Sequence, residues 1–330
     1  MPEAIKSIVE LNDIFMYFEQ GDGKPVQASH NLNLNISESD LIAIIGESGC
    51  GKSTIGKIVL GVQKPSRGNV LYRQHDIWKD GMSAELRRMV QVVHQDSFSS
   101  LNPVRTVFHS LYAPYFYCGK VKNEKEGREK VDFLLQNVGL TPTDFFMNKY
   151  PFQLSGGQRQ RVSIARATIM EPALIVADEP VSAVDASLRL TILDLMRGLR
   201  DEKGIAFLYI THDLATARYF APKGRLIVMY LGRMVETGMI ENCVQKPAHP
   251  YLQALLKAIP NPDPEKNCDV SDLPLKSLDM PSPKEPPPGC VFHPRCPYAT
   301  EQCSREEPLL ENVKDSSEHR VACIHKDKIP

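Results

Sequence analysis

The sequence predicts an α/β protein built on a parallel sheet, with a helical insertion and a cysteine-rich C-terminal extension. Three observations predict it. Short apolar runs alternate with helical patterns, as in Leu41–Ile45, Ala173–Ala177 and Ala206–Ile210. Strand-like runs vanish from about Asp96 to Tyr150, where amphipathic helical spacing takes over. Four of the eight cysteines lie at or beyond Cys290.

In chain order, Ile8–Leu11 and Val26–Ile36 read as short strands; Leu32, Leu34 and Ile36 alternate with polar residues. Leu41–Ile45 is uninterrupted apolar chain ending at a glycine, as in a strand covered on both faces. Ser53–Val62 reads as a helix, and Arg67–Arg73 and Val90–His94 as strands. The insertion follows, with a helix around Val131–Val138, and a second helix spans Gln160–Met170. Ala173–Ala177 is a buried strand, Leu188–Arg200 a helix and Ala206–Ile210 a strand; Arg225–Val235 folds back at Leu231-Gly232. The stretch Ile259–Pro288 is proline-rich and aperiodic, which predicts a linker or a draped segment. The domain boundaries expected are 1–250 for the main domain and 251–330 for the extension.

Composition narrows the function classes. The chain has 330 residues, 42% of them apolar and 24% charged, the balance of a globular protein with a sizeable core. A net charge of −1 provides no global basic field for nucleic acid or an anionic membrane. The longest apolar runs, Leu41–Ile45 and Leu226–Leu231, fall far short of the roughly 20 residues that span a bilayer. Met1–Glu10 carries two acidic residues and no apolar core, so no secretory signal is expected. A reducing compartment fits and turns attention from disulfides to metal for the clustered cysteines.

The most specific motif is Gly46-Glu47-Ser48-Gly49-Cys50-Gly51-Lys52-Ser53, followed by Thr54. It matches the phosphate-binding loop and stands between a predicted strand and a predicted helix, as that loop requires. Its glycines let consecutive N–H groups wrap a phosphate at a helix start. Lys52 is expected to reach the β- and γ-phosphates of ATP, with the Ser53 hydroxyl on Mg²⁺. Cys50 at that helix start is a candidate for a lowered thiol pKa; the plainer reading is a small residue that fits the loop. Leu174–Ala177 runs into Asp178 and Glu179. Adjacent acids on a strand end point in opposite directions and can take different roles: Asp178 toward Mg²⁺, Glu179 toward the attacking water. Alone, an acid pair would read as a solvated loop start; after a buried strand, in one chain with a phosphate loop, it reads as catalytic.

Leu154-Ser155-Gly156-Gly157-Gln158, followed by Arg159-Gln160-Arg161, opens a helix and offers a second anion-binding helix start. This string resembles the signature sequence of ABC ATPases. The resemblance covers about residues 7–250 and implies a RecA-like core, an antiparallel β-subdomain and an inserted helical subdomain at about 96–165. It also implies head-to-tail pairing, in which Ser155, Gly156, Gly157 and Gln158 of one subunit close over nucleotide held by the other. Other positions match family motifs in the family's order. Gln95 matches the glutamine that senses the γ-phosphate through Mg²⁺. Ser182-Ala183-Val184-Asp185 resembles the loop at the dimer interface, with Val184 in place of leucine. His212, in Thr211-His212-Asp213, matches the switch histidine. The family's adenine-stacking aromatic is expected at Phe18, with Tyr17 as the alternative.

The tail narrows the resemblance. His249-Pro250-Tyr251, Leu255-Leu256, Ile259-Pro260, Pro287-Pro288-Gly289-Cys290 and Phe292-His293-Pro294-Arg295-Cys296-Pro297 are similar to the ATPase subunits of oligopeptide/dipeptide importers. Importers of nickel, glutathione and oligosaccharides share that group. Asp178–Ser182 looks more like the second of the two ATPases such systems encode. The implied partners are a second, paralogous ATPase, two membrane permeases and an extracytoplasmic solute-binding protein, with no nucleic acid. The implied location is peripheral, on the cytoplasmic face of a prokaryotic membrane. Phe152-Gln153 departs from the His-Glu common in relatives, close to the expected coupling contact. That contact is expected at Ser99–Pro103 and Arg105–Leu111, with ordinary domain packing as the alternative.

Cys290, Cys296, Cys303 and Cys323 are spaced C-x5-C-x6-C-x19-C. Four thiolates can hold a [4Fe–4S] cluster or a tetrahedral zinc ion, or remain reduced or disulfide-linked. The spacing lacks the C-x2-C pairs of zinc ribbons, and the resemblance favours iron–sulfur. Cys118, Cys243 and Cys268 are expected to be inert. The competing function class is a soluble ABC ATPase acting on DNA or ribosomes. Against it stand the single nucleotide-binding domain and the lack of a basic arm or long coiled coil.

Overall fold

The computed structural model describes residues 7–19, 25–259, 273–314 and 316–326, so Cys268 lies outside the described residues. The chain forms two compact units.

The first unit comprises Asp80–Leu208 with short pieces at Ile8 and Ser37–Ser39. The strands Val90–Val93 and Leu174–Asp178 pair in parallel, with Val90 opposite Leu174 and Val93 opposite Ala177. Ala173 donates its N–H to Met89 and accepts from Ala206 at 2.9 Å each, which aligns the start of the strand Ala206–Ile210. The predicted insertion is helical: Ser97–Ser100, Val107–Tyr117, Glu124–Asn137, Thr143–Met147 and Gly156–Thr168. Their apolar faces share one core, in which Leu111, Val131, Leu135 and Val162 are wholly buried. Four of these helices start on side-chain caps, from Asp96, Thr106, Asn123 and Ser155. The helix Gly156–Thr168 begins four residues before the predicted Gln160, because Ser155 and Gln158 form a capping box.

The second unit comprises Val9–Ile36, Asp40–Lys79 and the chain from Tyr209 onward. It holds a four-stranded antiparallel sheet, ordered Val26–Ser37, Ser7–Phe18, Arg67–Tyr72, His75–Asp76. The first strand is longer than its apolar run, because a bulge between Asn12 and Phe15 lets pairing continue. Leu41–Ile45 pairs in parallel with Arg225–Tyr230, which forms a hairpin with Arg233–Met239. The predicted helix from Ser53 ends early, at Val59. Here the extension joins the main fold. The two-residue strand Arg320–Val321 pairs with Arg233–Met239, and Glu311–Asn312 pairs with it in turn. Glu236, fully buried on that hairpin, accepts from the N–H groups of Ala248 (3.0 Å) and His249 (2.7 Å) and bonds His319 Nε2 at 2.7 Å. These bonds consume the carboxylate and bracket the tail to the sheet. The proline-rich segment is draped where it is described: Gln27 N–H donates to Pro283 O at 3.3 Å.

Candidate functional site

The loop Gly46–Gly51 joins the buried strand Leu41–Ile45 to the helix Lys52–Val59. Two glycines are required by close approach. A Cβ on Gly46 would stand 2.3 Å from Met229 O, and one on Gly51, at φ +103°, would stand 2.1 Å from Ala28 O. The loop curls round its own lysine: Lys52, 5% exposed, donates to Gly46 O (2.7 Å) and Glu47 O (2.9 Å). Ser48, Gly49 and Ser53 are exposed and Thr54 half-buried, so a helix start beside an ammonium faces solvent, an arrangement suited to phosphate. Burial pushes the Cys50 thiol up in spite of Lys52, so the helix start does not activate it.

In the same unit, Thr211 N–H donates to Ile44 O at 3.0 Å, setting the turn at His212 beside the strand that feeds the loop. His212 is exposed. Asp213 caps the next helix through Ala215 N (2.9 Å) and Thr216 N (3.3 Å). Phe18 and Tyr17, 37% and 38% exposed, end the strand Ser7–Phe18.

The first unit brings other predicted residues together. Gln95 Nε2 donates to Glu179 Oε2 at 3.2 Å. Glu179 has φ +45°, a strained conformation for a side chain of its size. Its carbonyl accepts from Ser182 Oγ at 2.9 Å. Asp178, half-buried, precedes it at the strand end. Ser155 Oγ accepts from Gln158 N (3.3 Å), and Gln158 Oε1 accepts from Ser155 N (3.0 Å). Gly157 packs against Leu188, where a Cβ would stand 2.9 Å from Cδ1; Gly156 is half-buried. Asp185 is exposed at the start of the helix Ala186–Lys203.

In the extension, Cys290, Cys296, Cys303 and Cys323 line one small cavity, together with Phe292 and Tyr298. All four are free thiols. Backbone N–H groups of Phe292, Tyr298 and His325 point at the sulfurs of Cys290, Cys296 and Cys323. Burial, with the neighbouring sulfurs adding to it, pushes the thiols of Cys290 and Cys323 up to about 12 and about 11. Such a set favours thiols until a cation replaces the protons, and its inward N–H groups suit thiolate ligands. Among the described residues, the one triad of potential ligand atoms all within 4.8 Å of one another is Glu236, Cys243 and His319.

Two residues noted only in the tail resemblance prove to touch the phosphate loop. Tyr251 Oη accepts from Glu47 N–H at 2.8 Å, and Arg295 Nη1 donates to both Glu47 carboxylate oxygens at 3.0 Å. Both partners are about 200 residues or more from Glu47 in sequence, so no local pattern marks them.

Comparison with known proteins matches residues 29–182 to the ABC transporter family and residues 235–303 to the oligopeptide/dipeptide transporter C-terminal region. The oligopeptide transport ATP-binding protein OppF of Escherichia coli is 37% identical, over 99% of this chain and 98% of its own. The dipeptide transport ATP-binding protein DppF of Haemophilus influenzae is 40% identical, over 92% and 90%. Among solved structures, the dimeric post-hydrolysis state of the ATP-binding cassette MJ0796 bound to ADP and Pi superposes with a TM-score of 0.62 at 30% identity. It covers 70% of this chain and 98% of its own. No described helix is long and apolar enough to cross a membrane.

Proposed function

Because this chain belongs to the ATP-binding subunits of oligopeptide/dipeptide ABC transporters, we propose that it hydrolyses ATP to drive peptide uptake through partner permeases. The observation that carries this reading is one chain holding both a formed phosphate loop and the family's C-terminal region, matched to its relatives almost end to end. The chain is an ABC ATPase in fold and enzyme class, and it works with membrane permeases as a peripheral subunit. The finer composition is our reading: a paralogous second ATPase, two permeases and a solute-binding protein at the cytoplasmic face.

The residues take the following roles. Gly46–Thr54, with Lys52 central, hold the phosphates, and Phe18 stacks on adenine. Ser53, Gln95 and Asp178 would hold Mg²⁺, which supplies charge neutralisation to the phosphates. Glu179 accepts a proton from the attacking water, oriented by Gln95; the hydrogen bond between them supports this pairing. His212 contacts the γ-phosphate. Ser155–Gln158 and Asp185 of a second subunit complete the site. Residues 1–250 form the nucleotide-binding domain and 251–330 the extension.

In the extension the four cysteines would hold a [4Fe–4S] cluster, which supplies a cross-link to a segment with little core of its own. The four cysteines gathered on one cavity support a sulfur-ligated centre, and the family resemblance favours iron–sulfur over zinc. The inward N–H groups also suit sulfur-rich centres.

The test is reconstitution of the chain with its permeases, partner ATPase and binding protein in vesicles. Peptide uptake should require ATP and binding protein, and peptide should stimulate hydrolysis. Hydrolysis indifferent to peptide and binding protein, with no uptake, would contradict the reading.

A further inference from the structure

The phosphate loop is held from behind by the cysteine-rich tail. Arg295 sits one residue before Cys296, on the turn that starts at Cys290. That turn is closed by N–H donation from Arg295 and Cys296 to Phe292 O, both 3.0 Å. The Arg295 side chain is 5% exposed. Its Nη1 reaches both oxygens of Glu47, and its Nε donates to Ser277 O at 3.3 Å. The guanidinium lies over the rings of Tyr230 (5.7 Å) and Phe292 (5.9 Å). Tyr230 and Phe292 both pack on Tyr251, whose hydroxyl takes the Glu47 N–H. Glu47 is therefore fixed at its carboxylate and at its amide by groups the extension supplies or packs. Its carbonyl is left to Lys52.

The energetics of such a pair favour specificity over stability. A buried ion pair recovers little net energy, because desolvation offsets the attraction, but it enforces one geometry. The partners are also unequal. Glu47 is 30% exposed and can be resolvated if its partner goes, whereas Arg295 cannot. Removing the arginine therefore frees the loop rather than stranding a charge in it.

We propose that Arg295 is a positioning residue for nucleotide binding, clamping the phosphate loop through Glu47 so that the assembled four-cysteine turn raises affinity for ATP. This rests on the phosphate-loop and four-cysteine readings given above. Linkage requires the converse as well: bound ATP must raise the affinity of the cysteines for metal by the same factor.

The test measures dissociation constants for MgATP, by titration calorimetry on the purified full chain, beside its iron and zinc content and its visible absorbance. Arg295→Met should weaken MgATP binding about tenfold, within the usual 5–150-fold of linked sites, with metal content unchanged. Arg295→Lys, which keeps the charge, should recover part of the affinity. Arg295→Met combined with Glu47→Gln should bind no more weakly than Arg295→Met alone, since both act through one contact. Stripping metal from the wild type should weaken ATP binding, and stripping it from Arg295→Met should add nothing. Normal affinity in folded Arg295→Met and Arg295→Lys overturns the proposal. So does an affinity loss that merely follows metal loss and is not shared by Glu47→Gln. A wild type that binds ATP but neither iron nor zinc overturns the link to the cysteines. A wild type that binds no ATP removes the phosphate-loop reading itself.

Discussion

Glu179 follows the strand Leu174–Asp178, with its backbone at φ +45° and its carboxylate accepting from Gln95. Its place at the end of a buried strand, after Asp178, was legible because β-strand burial and terminal acids are local signals. Its backbone was not: the φ of +45° and the hydrogen bond from Gln95, 84 residues away, arise only in the fold. Strain retained at a carboxylate beside a glutamine suits a group held for proton transfer. Glu179→Gln preserves the size and removes the carboxylate proposed to take the proton. Turnover should fall by about 10²–10⁴-fold while MgATP still binds, read by steady-state hydrolysis beside nucleotide titration. Turnover within a few-fold of wild type would remove the role assigned to Glu179. Arg295 is the opposite case. It was visible as one letter of a tail string, and its partner Glu47 lies 248 residues away. Charge pairing across that separation has no sequence period.

At the scale of elements, the strands and helices of the core follow their hydrophobic periods, and the misses lie at ends. The signature helix starts at Gly156 because Ser155 and Gln158 cap each other, a pattern present in the letters Ser-Gly-Gly-Gln. The strands Glu311–Asn312 and Arg320–Val321 were not legible, since two residues carry no alternation. The phosphate loop is the element whose geometry is most exacting. Gly51→Ala would place a Cβ 2.1 Å from Ala28 O at a φ of +103°. Strain of about 1–3 kcal/mol and a backbone clash must then be relieved by moving the loop. MgATP affinity should drop by more than about tenfold. Gly81→Ala is the matching control: its φ is +90° and nothing lies within 4 Å of the added carbon. It should cost some thermal stability and leave MgATP affinity alone. Equal ATP binding by both variants would contradict the loop geometry.

At the scale of the whole molecule, the chain carries a glycine-rich loop round Lys52, a carboxylate at Glu179 hydrogen-bonded by Gln95, and a helix capped by Ser155. Under the proposed head-to-tail pairing, no single chain completes a site from its own parts. The family resemblance made this expectation legible, and the solved relative bound to ADP and Pi is dimeric. The docking of the tail was not legible, because it depends on Glu236, His319 and Arg295 meeting partners far along the chain. The most direct test is ATP turnover per chain as concentration is raised, for the chain alone and with its partner ATPase, with molecular mass followed in parallel. Turnover per chain should rise with formation of a two-chain species, and Ser155→Arg should abolish the rise. Full-speed hydrolysis by a strict monomer, unaffected by Ser155→Arg, would contradict the pairing.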